Sequence, residues 1–488
     1  MDKTAQIYPL IEQSKGAYFL SRPRRFGKSL TLSVLDEIFS GNKELFRGLW
    51  IYDSSYEWKK YPVLRFDFSK QKAKTQEELI RFIFSELKIN AERHQLILES
   101  VEYYAQFQEL ISKLGNLEKV VILIDEYDKP IIDHIEDTDR ATIMREIMKG
   151  FFTVLKGCDP YTRFLLLTGV SKFSKAGVFS NLNHLRDITL EDRYSDLVGI
   201  TEKELEESMH EHIMALVENE KSDYSLTLKK IRDFYNGYRF SPKGRSVYNP
   251  FSTLLLLTQL QFEHHWFETG TPEFLVKLIL KNKYDILTIP MVTDAIRFST
   301  YEVEDLSLTP LLVQTGYLTI KDYDEKENLY TLDYPNFEVK DAFLNYLFRK
   351  ILTKEEGTPY SYKLKKAFAM DDLEEVIEIL REIFLTIDYD IQIPQEKYYQ
   401  TIFYLIFTLL GFRIHAEVKT NRGRIDALVE SNSIFIFEFK LKGTKEEALA
   451  QIKDQKYYQK YLFSGKTVYL VGVEFRERNI GEYLVERV

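Results

Sequence analysis

The sequence predicts a multi-part α/β protein: a parallel sheet wrapped by helices at the N-terminal end, a mostly helical middle region, and a small α/β domain at the C-terminal end. Three observations carry this reading. Through the first 190 residues short apolar runs alternate with longer amphipathic ones, the pattern of strands joined by crossover helices. The run Val120-Val121-Ile122-Leu123-Ile124 shows no alternation, as a strand buried on both faces requires. From Gly411 onward the pattern turns back to strands.

In chain order, the expected N-terminal strands are Ala17–Ser21, Pro62–Phe68, Val120–Asp125 and Arg163–Thr168, with the third of them central. From Thr201 to Lys350 the signal changes to helices interrupted by segments such as Phe234-Tyr235-Asn236-Gly237-Tyr238-Arg239 and Thr269-Gly270-Thr271-Pro272. Thr353–Tyr362, with Glu355-Glu356-Gly357-Thr358-Pro359, reads as a polar linker. A helical stretch follows, then the closing strands through Thr467–Gly472. The expected divisions are therefore 1–200, 201–352, 353–384 and 385–488.

A chain of 488 residues with 44% hydrophobic and 29% charged residues has the balance of a folded globular protein with more than one domain. The start Met1-Asp2-Lys3-Thr4 lacks the pattern of a signal peptide, and no apolar run approaches the roughly 20 residues of a membrane span. A cytoplasmic protein without membrane contact is expected. Cys158 is the single cysteine, so no internal disulfide forms, and the only adjacent histidines, His264-His265, would point to different faces of a helix. Net charge is −9, which argues against coating nucleic acid with bulk positive charge. Residues 411–488 nevertheless hold 14 Lys and Arg against 11 Asp and Glu. That excess permits a phosphate-bearing substrate there and equally suits an ordinary mixed-charge surface.

The first strand is followed by Ser21-Arg22-Pro23-Arg24-Arg25-Phe26-Gly27-Lys28-Ser29 and then by helical periodicity from Leu30 to Phe39. Strand, loop, Gly-Lys-Ser and helix stand in the order a phosphate-binding loop needs, with backbone N–H groups and the helix N-terminus facing phosphate oxygens. Lys28 would reach the β- and γ-phosphates of ATP, and Ser29 would ligate Mg²⁺. The pattern's first glycine is replaced by Arg22, and Gly27-Lys28-Ser29 alone also fits a chance match in a basic loop. Asp125-Glu126 at the end of the third strand, expected beside the phosphate-loop strand, is the second signal. Asp125 would hold the Mg²⁺ shell and Glu126 would polarise the attacking water, the bland alternative being an acidic helix cap. The fourth strand runs into Gly169-Val170-Ser171, which puts hydroxyls where a γ-phosphate sensor would sit. Arg24 and Arg25 repel each other, which is eased when an anion lies between them, so at least one is expected on phosphate. Phe26 and Gly27 complete the expected cofactor-binding loop.

Near the C-terminal end, Gly423-Arg424-Ile425-Asp426 opens a strand, a turn follows at Ser431-Asn432-Ser433, and Ile434-Phe435-Ile436-Phe437-Glu438-Phe439-Lys440 forms the next. Glu438 and Lys440 share a strand face, and a hairpin would bring Asp426 beside them. A helix over Lys445–Tyr461 would add Gln451, in line with Ala448, Gln455 and Tyr458. Carboxylates Asp426 and Glu438 holding Mg²⁺, with Lys440 orienting water, suit phosphodiester cleavage. Glu-x-Lys alone is more readily a surface ion pair, and it is the context of strand, turn, strand and Gln-bearing helix that favours the nuclease-type site. Glu396 and Glu417 are further candidate acids.

Together these motifs resemble the AAA-ATPase-like proteins that carry a C-terminal PD-(D/E)XK nuclease-superfamily domain. The resemblance spans almost the whole chain and rests on Asp2-Lys3-Thr4, Arg22–Ser29, Ile124–Pro130, Thr168–Ser174, Asn183–Ile188, Tyr235–Phe240, Tyr248–Ser252, Gln314–Thr319 and the Asp426, Glu438, Lys440, Gln451 set. It implies that Arg-Pro-Arg-Arg-Phe-Gly-Lys-Ser is the group's own phosphate loop, with Arg22 part of its pattern. It further implies an AAA-like P-loop ATPase coupled to a Mg²⁺-dependent nuclease acting on DNA or RNA. A switch that binds nucleic acid without cutting it, a plain ATPase acting on protein partners, and a homo-oligomeric state all stay open at this point.

Overall fold

The computed structural model describes the chain except residues 174–181, 183–184, 267–274, 276–277, 280–288, 290, 296–306, 352–356, 386–401, 404–405, 408–412, 421–422, 441, 457 and 477–478. Glu396 and Thr269-Gly270-Thr271-Pro272 therefore lie outside the described residues, as does the side chain of Glu417. The chain forms two compact units, Met1–Phe274 with Pro290–Val339, and Leu275–Ile289 with Lys340–Val488. The expected divide at residue 200 falls inside the first unit. Among the described residues no helix is long and apolar enough to cross a membrane.

The first unit opens with α1 (Thr4–Ile11), β1 (Gly16–Ser21), α2 (Lys28–Phe39), β2 (Val63–Asp67), α3 (Gln76–Arg93), α4 (Tyr103–Gly115), β3 (Val120–Asp125), α5 (Lys129–Ile132), α6 (Thr138–Gly157), β4 (Thr162–Gly169) and β5 (Arg186–Asp187). Their strands form one sheet in the order β2-β3-β4-β1-β5, parallel throughout. All of β3 and β4 is buried, which explains the unbroken apolar runs. Two expectations change here. β4, not β3, is the middle strand, and it stands between β3 and β1, so Asp125 does not end a strand adjacent to the phosphate-loop strand. The two-residue β5 has no signature of its own length in the sequence.

Helix boundaries follow local capping chemistry. Thr75 and Asp137 accept N–H bonds at the starts of α3 and α6. α7 (Glu202–Glu220) starts with a reciprocal box in which Thr201 and Glu204 satisfy each other's backbone N–H. Next come α8 (Tyr224–Tyr235), α9 (Pro250–Gln259), β6 (Met291–Thr293), α10 (Leu308–Thr315), β7 (Thr319–Asp324) and β8 (Leu329–Asp333). The three strands make an antiparallel sheet in the order β6-β8-β7, an addition to the expected helical region. The hairpin's turn is charged, and Asp324 accepts from the backbone of Lys326 and Glu327 at 2.9 and 3.2 Å.

These later segments pack around the phosphate loop. Phe26 lies 4.7 and 5.3 Å, centroid to centroid, from the rings of Tyr238 and Phe240. Arg22 stacks over Phe240 and Arg25 over Phe251 at 4.3 and 3.8 Å, and the Trp266 indole donates to the Arg24 carbonyl at 3.4 Å. Each such aromatic contact contributes about 0.5–1.5 kcal/mol beyond its buried area.

The second unit receives α11 (Phe337–Ile351), a helix that begins in the last residues of the first, and continues with α12 (Gly357–Ala369), α13 (Leu373–Leu385), β9 (Arg413–Thr420), β10 (Gly423–Glu430), β11 (Ile434–Lys440), α14 (Lys445–Asp454), β12 (Val468–Arg476) and β13 (Asn479–Arg487). The expected linker is already helical from Gly357, because Pro359 sits in the first turn, where a missing N–H costs nothing. The five strands form a mixed sheet in the order β13-β12-β11-β10-β9, with only β11 and β12 parallel. β11 is apolar on both sides. Phe435 meets Phe368 at 5.0 Å and Phe439 meets Phe403 at 4.6 Å, while Ile434 and Ile436 pack with Leu449 and Ile452 of α14.

Candidate active sites

The phosphate loop turns where the backbone can take positive φ, at Arg25 (φ 65°) and Gly27 (φ 95°), not at Arg22. Arg22 instead plugs the loop's base. It is 1% exposed, and its guanidinium donates to the carbonyls of Ser21 and Thr189 at 2.8 Å each and of Tyr194 at 3.0 Å. Burial pulls its pKa down to about 9, opposed by Asp187. Gly27 begins α2 with no side-chain cap, which leaves the first helical N–H groups available to an anion.

Lys28 is buried, and its ammonium donates to the carbonyls of Arg22 and Pro23 at 3.0 and 3.1 Å. Desolvation lowers its pKa, while Glu126, Asp125 and Asp128 hold its charge from the end of β3. Ser29 is exposed in the first turn of α2. Asp125 is 1% exposed and accepts from the Thr168 hydroxyl at 2.6 Å, an orientation that suits a carboxylate aimed at a cation. Glu126 is half-buried in the left-handed region, φ 48°. Arg24 faces Lys28 electrostatically. The Phe26 side chain is held in the aromatic cluster, so any nucleotide contact it makes is through its backbone.

In the second unit Glu438 is 2% exposed. The Gln451 amide donates to its carboxylate and accepts from Lys440 at 2.5 Å, and Lys440 lies 3.7 Å from Glu438. The β10–β11 register begins at Ala427 and Phe437, one residue after Asp426, whose side chain lies outside the described residues. α14 ends at Asp454, and Lys456 is left-handed at φ 55°. The expected helix to Tyr461 is therefore too long, and Tyr458 is not on Gln451's helix. Among the described residues no three His, Cys, Asp or Glu side chains are grouped as a metal cage. Mg²⁺, which keeps waters and takes substrate phosphates as ligands, suits the carboxylates at the end of β3 without one.

Comparison with known proteins finds a family at each end of the chain. A family described as "Predicted AAA-ATPase" matches residues 1–179, and the PD-(D/E)XK nuclease superfamily matches residues 394–482. A protein of Azotobacter chroococcum mcd 1, described as "Uncharacterized protein in vnfD 5'region", is 37% identical across 100% of this chain and 95% of its own length. The chain belongs to the AAA-ATPase-like family, with a PD-(D/E)XK nuclease-superfamily domain at its C-terminal end. No solved structure matches it.

In this AAA-ATPase-like chain, sequence reasoning passed over Asp128 and the residues that clamp the phosphate loop. Asp128 is 1% exposed and accepts from the backbone of Val170 and Ser171 at 3.0 and 2.6 Å. Burial pushes its pKa up to about 6, offset by the Ser171 N–H. Its signal was visible as a third carboxylate within Asp125-Glu126-Tyr127-Asp128. Phe240 and Phe251 fall within the Tyr235–Phe240 and Tyr248–Ser252 motifs, but their relation to the loop, like that of Trp266, exists only after folding.

Proposed function

We propose that this protein binds and hydrolyses ATP through residues 1–200 and cuts DNA or RNA through residues 385–488, the first activity controlling the second. The observation that supports the ATP part best is the buried Lys28 ammonium facing Asp125, Glu126 and Asp128 at an uncapped helix start. A buried cation among acids and free N–H groups is suited to polyphosphate with its metal. In this reading Lys28 neutralises the β- and γ-phosphates, Arg24 or Arg25 adds a second cation, and Glu126 takes up a proton from the attacking water. At the second site Gln451 links Glu438 and Lys440 by hydrogen bonds, and in this reading Lys440 orients the water that attacks the phosphodiester. Bound Mg²⁺, held by Ser29 and Asp125 in one site and by Asp426 and Glu438 in the other, would supply charge neutralisation at phosphate oxygens.

The test is cleavage of labelled single- and double-stranded DNA and RNA by the full chain with Mg²⁺, with and without ATP, beside Lys28→Ala and Glu438→Ala. ATP-dependent cleavage lost in both variants is the expected result. Binding of nucleic acid without cleavage under every condition would replace the nuclease with an ATP-gated binding switch.

A further inference from the structure

Four hydrogen bonds converge on two residues that follow β4. β4 ends at Gly169, so the N–H groups of Val170 and Ser171 have left the strand ladder. Both donate to one oxygen, Asp128 Oδ2. The Tyr127 hydroxyl donates to the Ser171 carbonyl at 2.9 Å, and the Ser21 hydroxyl to the Val170 carbonyl at 2.5 Å. Arg22 N–H donates to the Gly169 carbonyl at 3.1 Å. The turn is thus tied on one side to the acidic end of β3 and on the other to the phosphate loop. Close approach is possible because residue 169 is glycine: a Cβ there would lie 2.6 Å from Asp128 Oδ1 and 2.7 Å from the Tyr127 ring.

The bonds leave one group over. Ser171 is 0% exposed, and its hydroxyl has no hydrogen-bond partner among the described residues. A buried hydroxyl left unbonded is unfavourable, and a ligand oxygen would satisfy it. Asp128 itself is committed to the two N–H groups and sits behind the turn, unlike Asp125, which ends the strand proper. The left-handed Glu126 reverses the chain between them.

We propose that Asp128 is a positioning residue of ATP hydrolysis: its carboxylate holds the Val170–Ser171 turn so that the Ser171 hydroxyl meets the terminal phosphate. The proposal rests on the ATPase reading above. The turn itself requires an oxygen acceptor at Asp128, because both bonds are donated by backbone N–H groups; the charge that Asp128 sets near Lys28 is a separate contribution.

Steady-state ATPase assays and ATP titrations on the full chain separate the possibilities. Ser171→Ala lowers kcat about 100-fold with KM within about threefold, the loss of one donor aimed at developing charge. Asp128→Ala lowers kcat similarly, and the double variant is no slower than either single one, since both remove the same contact. Asp128→Asn, isosteric and still an acceptor, recovers most of the kcat that Asp128→Ala loses. The proposal is overturned by a wild-type kcat in Ser171→Ala, or by an Asp128→Asn variant as slow as Ser171→Ala. These two conservative changes decide it even where Asp128→Ala does not fold. Normal hydrolysis by Lys28→Ala is a different failure, because it removes the ATPase site itself.

Discussion

Lys28 and Glu126 face each other across the nucleotide site with opposite duties, and substitution tells them apart. Lys28→Ala is expected to abolish ATP hydrolysis and weaken ATP binding, since a buried phosphate charge loses its counter-ion. Glu126→Gln is expected to keep binding and lose turnover by about 10²- to 10⁴-fold, the range for general acid–base groups; titration with ATP beside a phosphate-release assay checks both. Arg25→Ala should weaken ATP far more than AMP if its guanidinium serves phosphate. Equal loss for both nucleotides would assign it to its stack on Phe251. Glu338 offers a test of stability. It is fully buried, accepts from Ser252 and the Trp266 N–H at 3.0 and 2.8 Å, and burial raises its pKa to about 7. Between an unfolded value of 4.5 and the folded value the native state keeps the proton and the unfolded state has lost it. Stability from this group therefore falls as pH rises through that window, by roughly 3 kcal/mol. Urea melts at pH 5 and 7.5 should show that fall in the parent and not in Glu338→Gln; an equal slope in both would reject the assignment. Lys28, Ser29, Asp125 and Glu126 were legible because each belongs to a short motif whose spacing is its geometry. Asp128 was not, since its direction depends on one left-handed residue, and Glu338 was not, since its partners stand 72 and 86 positions away.

At the level of elements, long apolar runs were readable and short polar ones were not. β3 and β4 are buried end to end, so hydrophobicity alone marked them. β5 has two residues, and the β7–β8 hairpin is joined by Glu325-Lys326-Glu327-Asn328, which reads as loop. The order of strands was beyond the sequence, because parallel pairing is set by crossover packing and leaves no local trace. α14 shows how an element carries chemistry. It crosses β12 so closely that a Cβ on Gly472 would lie 2.4 Å from the Lys445 carbonyl and 2.7 Å from the Leu449 nitrogen. Gly472→Ala should push the helix off the sheet, cost about 1–3 kcal/mol as overpacking does, and separate Gln451 from Glu438 and Lys440. Chemical denaturation and a cleavage assay on the same preparation check this. A variant destabilised to that extent but cutting at the parent rate would show that Gln451 is dispensable.

Across the whole molecule the two sites belong to different compact units, and their chemistry should separate. Asp426→Ala, Glu438→Ala and Lys440→Ala are each expected to remove Mg²⁺-dependent cleavage while the ATPase rate without nucleic acid stays within about twofold, as for sites that share no partners. Phosphate release measured beside cleavage would expose any loss of both at once. The two kinds of domain were legible from their motifs, but the way the middle region joins the ATPase was not. The reason is the phosphate loop. Its shape is imposed by Tyr238, Phe240, Phe251 and Trp266, all beyond residue 179, where the family match ends. A recombination event that moved residues 1–179 alone into another gene would carry the loop's lettering and leave its mould behind. The smallest cassette that evolution or an engineer can shuffle intact therefore runs at least as far as Trp266.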